Sequence, residues 1–101
     1  MVDEIRFEWD PRKALANKRK HGVSFETAAQ VFDDPFVYEY EEGTEHGEIR
    51  FRAVGEVIGR VFFVSYTSYK EGEEEIVRII SARSASPREI RAYQRHSQND
   101  R

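Results

Sequence analysis

The 101-residue chain contains no cysteine, one methionine, one tryptophan and only three prolines. Without cysteine there is no disulfide scaffold and no thiolate zinc site, and the composition suits a reducing cytosol. The longest uninterrupted apolar run is four residues, Val61-Phe62-Phe63-Val64, far short of the about 20 that span a bilayer. No membrane association is therefore expected. The start, Met1-Val2-Asp3-Glu4, is acidic with no apolar run behind it, so no secretory signal is expected either. There is no Gly-rich phosphate loop, no pair of histidines at helical spacing and no acidic calcium loop. Nothing around Ser24, Ser65 or Ser81 resembles a nucleophile elbow. The histidines His21, His46 and His96 stand apart from one another, and His46, near Glu45 and Glu48, reads as part of a solvated acidic loop. These absences lead us to expect no metal and no cofactor.

What is present is a globular pattern. Thirteen aromatic side chains (seven Phe, five Tyr, one Trp) oppose disorder, because disordered chains are poor in such residues. The length allows one domain over residues 1–101, burying about 65% of the unfolded surface in one modest core. The net charge of −3 argues at first against a nucleic-acid partner, but the charge is blocky. Residues 1–22 carry +2, residues 23–48 carry −8 with no Lys or Arg, residues 49–72 carry +2, residues 73–75 carry −3 and residues 76–101 carry +4. Two basic ends enclose an acidic middle.

Apolar alternation predicts a first strand over Ile5-Arg6-Phe7-Glu8-Trp9. Asp10-Pro11 is an N-cap followed by Pro at the first helical position, opening a helix over Arg12 to Lys20 with Leu15 and Ala16 on its buried side. His21-Gly22 closes that helix, with Gly22 as a left-handed C-cap. Ser24 caps a second helix bearing Ala28, Ala29, Val31 and Phe32, which Asp33-Asp34-Pro35 stops. Phe36 to Tyr40 alternates as a strand, Glu41 to Gly47 reads as a loop, and Glu48 to Val54 alternates again. Gly55 to Gly59 is a turn before the most apolar strand, Arg60 to Thr67. Lys70 to Glu73 marks a hairpin, and Glu75 to Ala82 is the last strand. Ser86-Pro87-Arg88-Glu89 combines an N-cap, a Pro and a capping-box Glu, opening a helix to about His96 with Ile90 and Tyr93 inward. A frayed tail is expected from about residue 97. The order β-α-α-β-β-β-β-α describes an α+β domain, an antiparallel sheet of about four to five strands with two N-terminal helices and one C-terminal helix.

Two basic clusters carry the candidate chemistry. Arg12, Lys13, Lys18, Arg19, Lys20 and His21 form a broad basic helix surface, either a solvated face or a surface for phosphates. In Ile76-Val77-Arg78-Ile79-Ile80-Ser81-Ala82-Arg83, strict alternation puts Arg78, Ile80 and Ala82 on one face and Val77, Ile79 and Ser81 on the other. An arginine on the face of so apolar a strand either pairs with a nearby Glu or faces a cleft and binds a phosphate. Tyr93 with Arg91 or Arg95 on the following helix would complete such a cleft, the competing reading for Tyr93 being a core position.

At this point a family resemblance enters. Phe7-Glu8-Trp9-Asp10 with Lys13, Asn17, Lys20-His21-Gly22-Val23-Ser24-Phe25, Ala28 and Val31-Phe32-Asp33-Asp34-Pro35 resembles the opening of the BrnT family. So do Gly47-Glu48 with Arg50, then Gly55, and above all Arg78-Ile79-Ile80-Ser81-Ala82-Arg83 with Ala85, Glu89 and Tyr93. The resemblance covers roughly residues 5 to 95 and rests on two long, ordered motifs. It implies the toxin of a type II toxin–antitoxin module: a cytoplasmic RelE-like ribonuclease that stops translation and is held inactive by a BrnA antitoxin. It further implies metal-independent chemistry and, for partners, RNA, the antitoxin and operator DNA only indirectly through the antitoxin. Carried onto this chain, the matching positions are Lys20, His21, Arg78, Arg83, Glu89 and Tyr93. Arg78 and Arg83 are expected to hold the phosphate, and His21 to be the acid/base because an imidazole titrates near neutral pH. Lys20 is its substitute, Glu89 and Tyr93 complete the set, and Arg12, Lys13, Lys18, Arg19, Arg91 and Arg95 are the candidate RNA contacts. Ser84 stands where many relatives carry a basic residue. The competing reading, from another class, is a non-catalytic module that shares the fold and serves only as partner of a DNA-binding antitoxin.

Overall fold

A computed structural model describes residues 4–99. The elements are β1 (Ile5–Glu8), α1 (Pro11–His21), α2 (Phe25–Gln30), a 3₁₀ turn (Val31–Asp33), β2 (Tyr38–Glu45), β3 (Glu48–Val57), β4 (Arg60–Glu71), β5 (Glu74–Ser84) and α3 (Pro87–Asn99). The expected α+β order is present, and the strands form one sheet in the order β1-β5-β4-β3-β2. The sheet is mixed rather than antiparallel: β2 to β5 form an antiparallel meander, whereas β1 pairs with β5 in parallel, Phe7 opposite Val77 and Glu8 opposite Arg78. Turn signals report only the pairing of sequence neighbours, so the partner of β1, some seventy residues away, was not legible in them.

The caps are where the side chains require them. Asp10 accepts from Arg12 N, Ser24 from Thr27 N, and Gly22 closes α1 at φ 73°. Ser86 and Glu89 form a reciprocal capping box, Ser86 N to Glu89 Oε1 at 2.8 Å and Glu89 N to Ser86 Oγ at 3.2 Å. Helix α3 continues to Asn99, beyond the expected end near His96; positions 100 and 101 of the expected tail lie outside the described residues. The meander is also more regular than its glycines suggested. The expected loop over residues 41–47 is mostly strand, turning at His46-Gly47 (φ 53° and 78°), and the expected turn over 55–59 shrinks to Ile58-Gly59 (φ 46° and 77°). Two consecutive positive φ angles are what a tight hairpin with right-twisted strands demands, and a glycine second makes each turn affordable. Gly55 instead sits inside β3 because a Cβ there would lie 2.8 Å from Val31 Cγ1; the 3₁₀ turn packs directly on the strand backbone.

Helices α1 and α2 lie on β5, and with the 3₁₀ turn they cover the first face of the sheet. The core there joins Val23, Phe25, Ala28 and Val31 to Ala53, Phe62, Val64, Tyr66, Val77, Ile79 and Ala82. Leu15 and Ala16, expected on the buried side of α1, are exposed; Ala14 and Asn17 face the sheet instead. The reason is that β1 stops opposite Arg78, leaving the β5 edge unpaired at Ala82. Asn17 supplies the missing strand: its Oδ1 accepts from Ala82 N at 3.1 Å, and its Nδ2 donates to Ala82 O at 2.8 Å and to Val23 O at 2.9 Å. A buried backbone edge demands polar partners, and leucine has none to offer.

Candidate RNA-binding face

The second face of the sheet is arranged by one irregularity. Ser65 pairs with Ser81 but the next residue, Tyr66, pairs with Ile79, so Ile80 is a one-residue bulge in β5. Strict alternation would put Arg78 and Arg83 on opposite faces. With the bulge, Ala82 joins Val77 and Ile79 in the core, while Ser81 and Arg83 join Arg78 on the second face. There Arg83 stands opposite Phe63, Ser81 opposite Ser65, and Arg78 opposite Thr67. On the other side of β4, Arg52 stands opposite Ser65 and Val54 opposite Phe63. Arg50, two residues before Arg52, shares that face, and so do Tyr38 and Tyr40 of β2, opposite Val54 and Arg52. The result is a surface that carries Arg50, Arg52, Arg78 and Arg83 with the rings of Phe63, Tyr38 and Tyr40 over the buried hydroxyls of Ser65 and Thr67.

Arg83 is the most firmly held. Its NH1 and NH2 donate to the two oxygens of Glu89 at 2.8 and 2.9 Å, a fork against a fork, and its guanidinium carbon lies 4.1 Å from the centre of the Phe63 ring. The hydrogen bonds to Glu89 raise the guanidinium pKa further, outweighing the opposing effect of burial. Burial alone would raise the Glu89 carboxyl, but the hydrogen bonds from Arg83 and Ser86 and the charge of Arg83 outweigh it and hold Glu89 below the ordinary glutamate value. An ionised Glu89 with these bonds already made orients Arg83; it is poorly placed to take a proton. Arg52 donates to Ser65 Oγ at 2.7 Å and lies 2.9 Å from Glu42, and it too approaches Phe63, at 5.8 Å. Tyr40, Glu89 and Arg88 line a shallow hollow of about 180 Å³ between β2 and α3. Burial, then the charges of Glu42 and Glu89, raise the Tyr40 pKa, so its phenol is a neutral donor.

The other expected residues are placed elsewhere. Arg78 is paired with Glu8, its neighbour on β1, at 3.0 Å, and Glu8 also accepts from Tyr69. The ion-pair alternative for Arg78 is therefore realised, on the same face as Arg83. Lys20 and His21 are exposed at the end of α1; with Lys13, Ala16, Ile80 and Ser81 they line a groove of about 240 Å³ along the β5 edge. Tyr93 is buried, and its hydroxyl donates a short hydrogen bond to Asp34, which also accepts from Phe36 N and Glu56 N. That bond ties α3 to the segment after the 3₁₀ turn and keeps the phenol away from the Arg83–Glu89 pair. Arg12, Lys13, Lys18, Arg19, Arg91 and Arg95 are all exposed, and Lys18 caps its own helix through Gly22 O at 3.2 Å. Sequence reading missed Tyr40, Arg52 and Phe63. The available signal was Arg50 and Arg52 at alternate positions of one strand, matching the spacing of Tyr38 and Tyr40, but their convergence on Arg83 depends on the strand register and on the bulge.

Among the described residues no group of three or more His, Asp or Glu is placed to hold a metal ion, and no helix is long and apolar enough to cross a membrane. The sequence profile of the ribonuclease toxin BrnT of type II toxin–antitoxin systems matches residues 9–89, from the end of β1 to the residue that grips Arg83. The chain belongs to the BrnT family of ribonuclease toxins. Curated proteins yield no match to it. The BrnT match covers most of both motifs that carried the resemblance, leaving out only Phe7, Glu8 and Tyr93, and the strand segment of the second, Arg78 to Arg83, contains the bulge. Membership makes the chain a ribonuclease toxin whose partners are RNA and an antitoxin.

Proposed function

We propose that this BrnT-family chain, a single RelE-like domain, is a metal-independent endoribonuclease of the cytoplasm that cleaves RNA, inhibits translation and is neutralised by a BrnA-type antitoxin. Operator DNA would be reached only through that antitoxin. The observation that supports this most is the convergence of Arg83, Arg52 and Arg78 on one sheet face beside Phe63 and Tyr40. In this reading the ribose 2′-oxygen attacks the adjacent phosphorus, its proton passes to His21 or Lys20 from the side of the β5 edge, where both line one groove with Ser81, and the 5′-oxygen leaves with a returned proton. The products are a 2′,3′-cyclic phosphate and a 5′-hydroxyl. Arg83, oriented by Glu89, takes the charge growing on the pentavalent phosphate, with Arg52 beside it and Arg78 further along the face. Tyr40 donates a hydrogen bond to a phosphate oxygen. Tyr93 acts at a distance, by holding α3 and therefore Glu89 in place. The exposed cations of α1 and α3 draw RNA to the face.

The test is cleavage of single-stranded RNA in excess chelator, with the ends identified by mass spectrometry. Removing one preorganised donor of this kind costs on the order of 10²–10³ in rate, and that loss is expected for Arg83→Ala. An unchanged rate in the Arg83→Ala, Arg78→Ala double variant would sink the site, and a strict need for a divalent ion would sink the mechanism. One observation favours the non-catalytic alternative: Arg52, Arg78 and Arg83 each already have a carboxylate partner within 3.0 Å. A protein that binds antitoxin but never cleaves RNA would decide for it.

A further inference from the structure

The arginines of the second face form an ordered series. Arg83 lies in the row of Phe63, Arg52 in the row of Ser65 and Ser81, and Arg78 in the row of Thr67, with Arg50 two residues before Arg52 on β3. Alternate residues of a strand are about 6.7 Å apart, so the rows repeat at a spacing close to that of successive phosphates in an extended single strand. Aromatic rings beside a basic track are the usual platform for unpaired bases. Within this series Arg50 differs from the rest. Its side chain is only 12% exposed, its Nε is buried with no hydrogen-bond partner among the described residues, and its nearest carboxylate, Glu45, is 3.7 Å away. The cause is local. At the irregularity in β2, Glu42 and Gly43 together stand against the single residue Arg50, and Glu42 is drawn to Arg52. A guanidinium N–H without an acceptor, on a strand whose neighbouring arginine is fully engaged, is an unused donor, and an anionic oxygen reaches this buried one by displacing Glu45.

We infer that Arg50, with Arg78 across Thr67, forms a second phosphate subsite two rows from Arg83, so that the face binds an extended single strand of RNA along the direction of β3 to β5. This rests on the ribonuclease reading but is tested without cleavage, using a single-stranded 2′-O-methyl oligomer that cannot react. The dependence of its binding on salt counts the phosphates neutralised, at about 0.7 of a logarithmic unit of slope for each. Arg50→Gln is expected to lower the slope by about 0.7 and to weaken binding at low salt. Arg60→Gln, the same charge change at the exposed start of β4, is expected to keep the wild-type slope. Because Arg50→Gln can disturb the hairpin, Glu45→Gln provides the converse test: removing the competing carboxylate should tighten binding several-fold, more than Glu73→Gln at the β4–β5 turn. The subsite is overturned if Arg50→Gln binds as the wild type does, if Arg60→Gln loses as much, or if Glu45→Gln has no greater effect than Glu73→Gln. Equal dependence on Arg50 for a duplex overturns the single-strand preference. Weakened antitoxin binding with unchanged oligomer binding would assign Arg50 to the protein partner instead. Cleavage of ordinary RNA decides the ribonuclease reading separately.

Discussion

Glu89 shows how one side chain can serve a helix and a site at once. Its Oε1 accepts both from Ser86 N, as the capping box requires, and from Arg83, while Oε2 completes the fork. Because its folded pKa is lowered, the stability it contributes is present above the ordinary glutamate value and is lost as pH falls through the folded value. Urea unfolding followed from about pH 5 downward should therefore show the wild type losing stability more steeply than Glu89→Gln. At pH 7 the same substitution should cost about 1 kcal/mol, a charge-assisted pair discounted for the 39% exposure of the Arg83 side chain. Equal slopes with pH would remove Glu89 from its role as the carboxylate that holds Arg83. The capping half of this role was legible in Ser86-Pro87-Arg88-Glu89, because a cap is local. The arginine half was not, because it depends on which face of β5 Arg83 occupies.

At the scale of elements, α1 is held to the sheet by a polar contact where an apolar one was expected. Asn17 replaces a strand at the β5 edge, and its amide makes three hydrogen bonds to the backbone of Ala82 and Val23. Asn17→Ala leaves the Ala82 N–H and C=O buried without partners, at an expected cost of about 2–3 kcal/mol. For a domain of this size that lowers the Tm by roughly 10–20 °C, measurable by thermal circular dichroism. A shift of less than a few degrees would mean that water or a neighbouring group replaces the amide. Helix starts, caps and the β4–β5 hairpin were legible because each depends on residues within a few positions. The buried stripe of α1 was not, because the periodic apolar residue, Leu15, points to solvent while the sheet edge selects Asn17. The Ile80 bulge has no sequence mark either: Ile79-Ile80 reads as an ordinary apolar pair.

For the whole molecule, folding redistributes the blocky charge. The basic block of α1 lies along the β5 edge, and the arginines of the third and last charge blocks, Arg50, Arg52, Arg78 and Arg83, share one face. Half of the acidic block, Glu39, Glu41, Glu42 and Glu45, lies in β2, at the opposite edge of the sheet. For a toxin of this family, inducible expression in a bacterial host should arrest growth, co-expression of a short basic antitoxin should restore it, and Arg83→Ala at equal protein level should be tolerated. Unimpeded growth with soluble wild-type protein would favour the non-catalytic partner.

From the sequence by itself came the α+β order, the three helix starts, the meander and the two motifs of the BrnT family, because propensity, capping and alternation act over a few residues. Only the tertiary structure decided that β1 runs parallel to β5, that Asn17 closes the sheet edge, and that Arg78 and Arg83 meet on one face with Arg50 and Arg52. Those facts depend on register. In a strand whose side chains alternate, one extra residue moves everything beyond it to the other face.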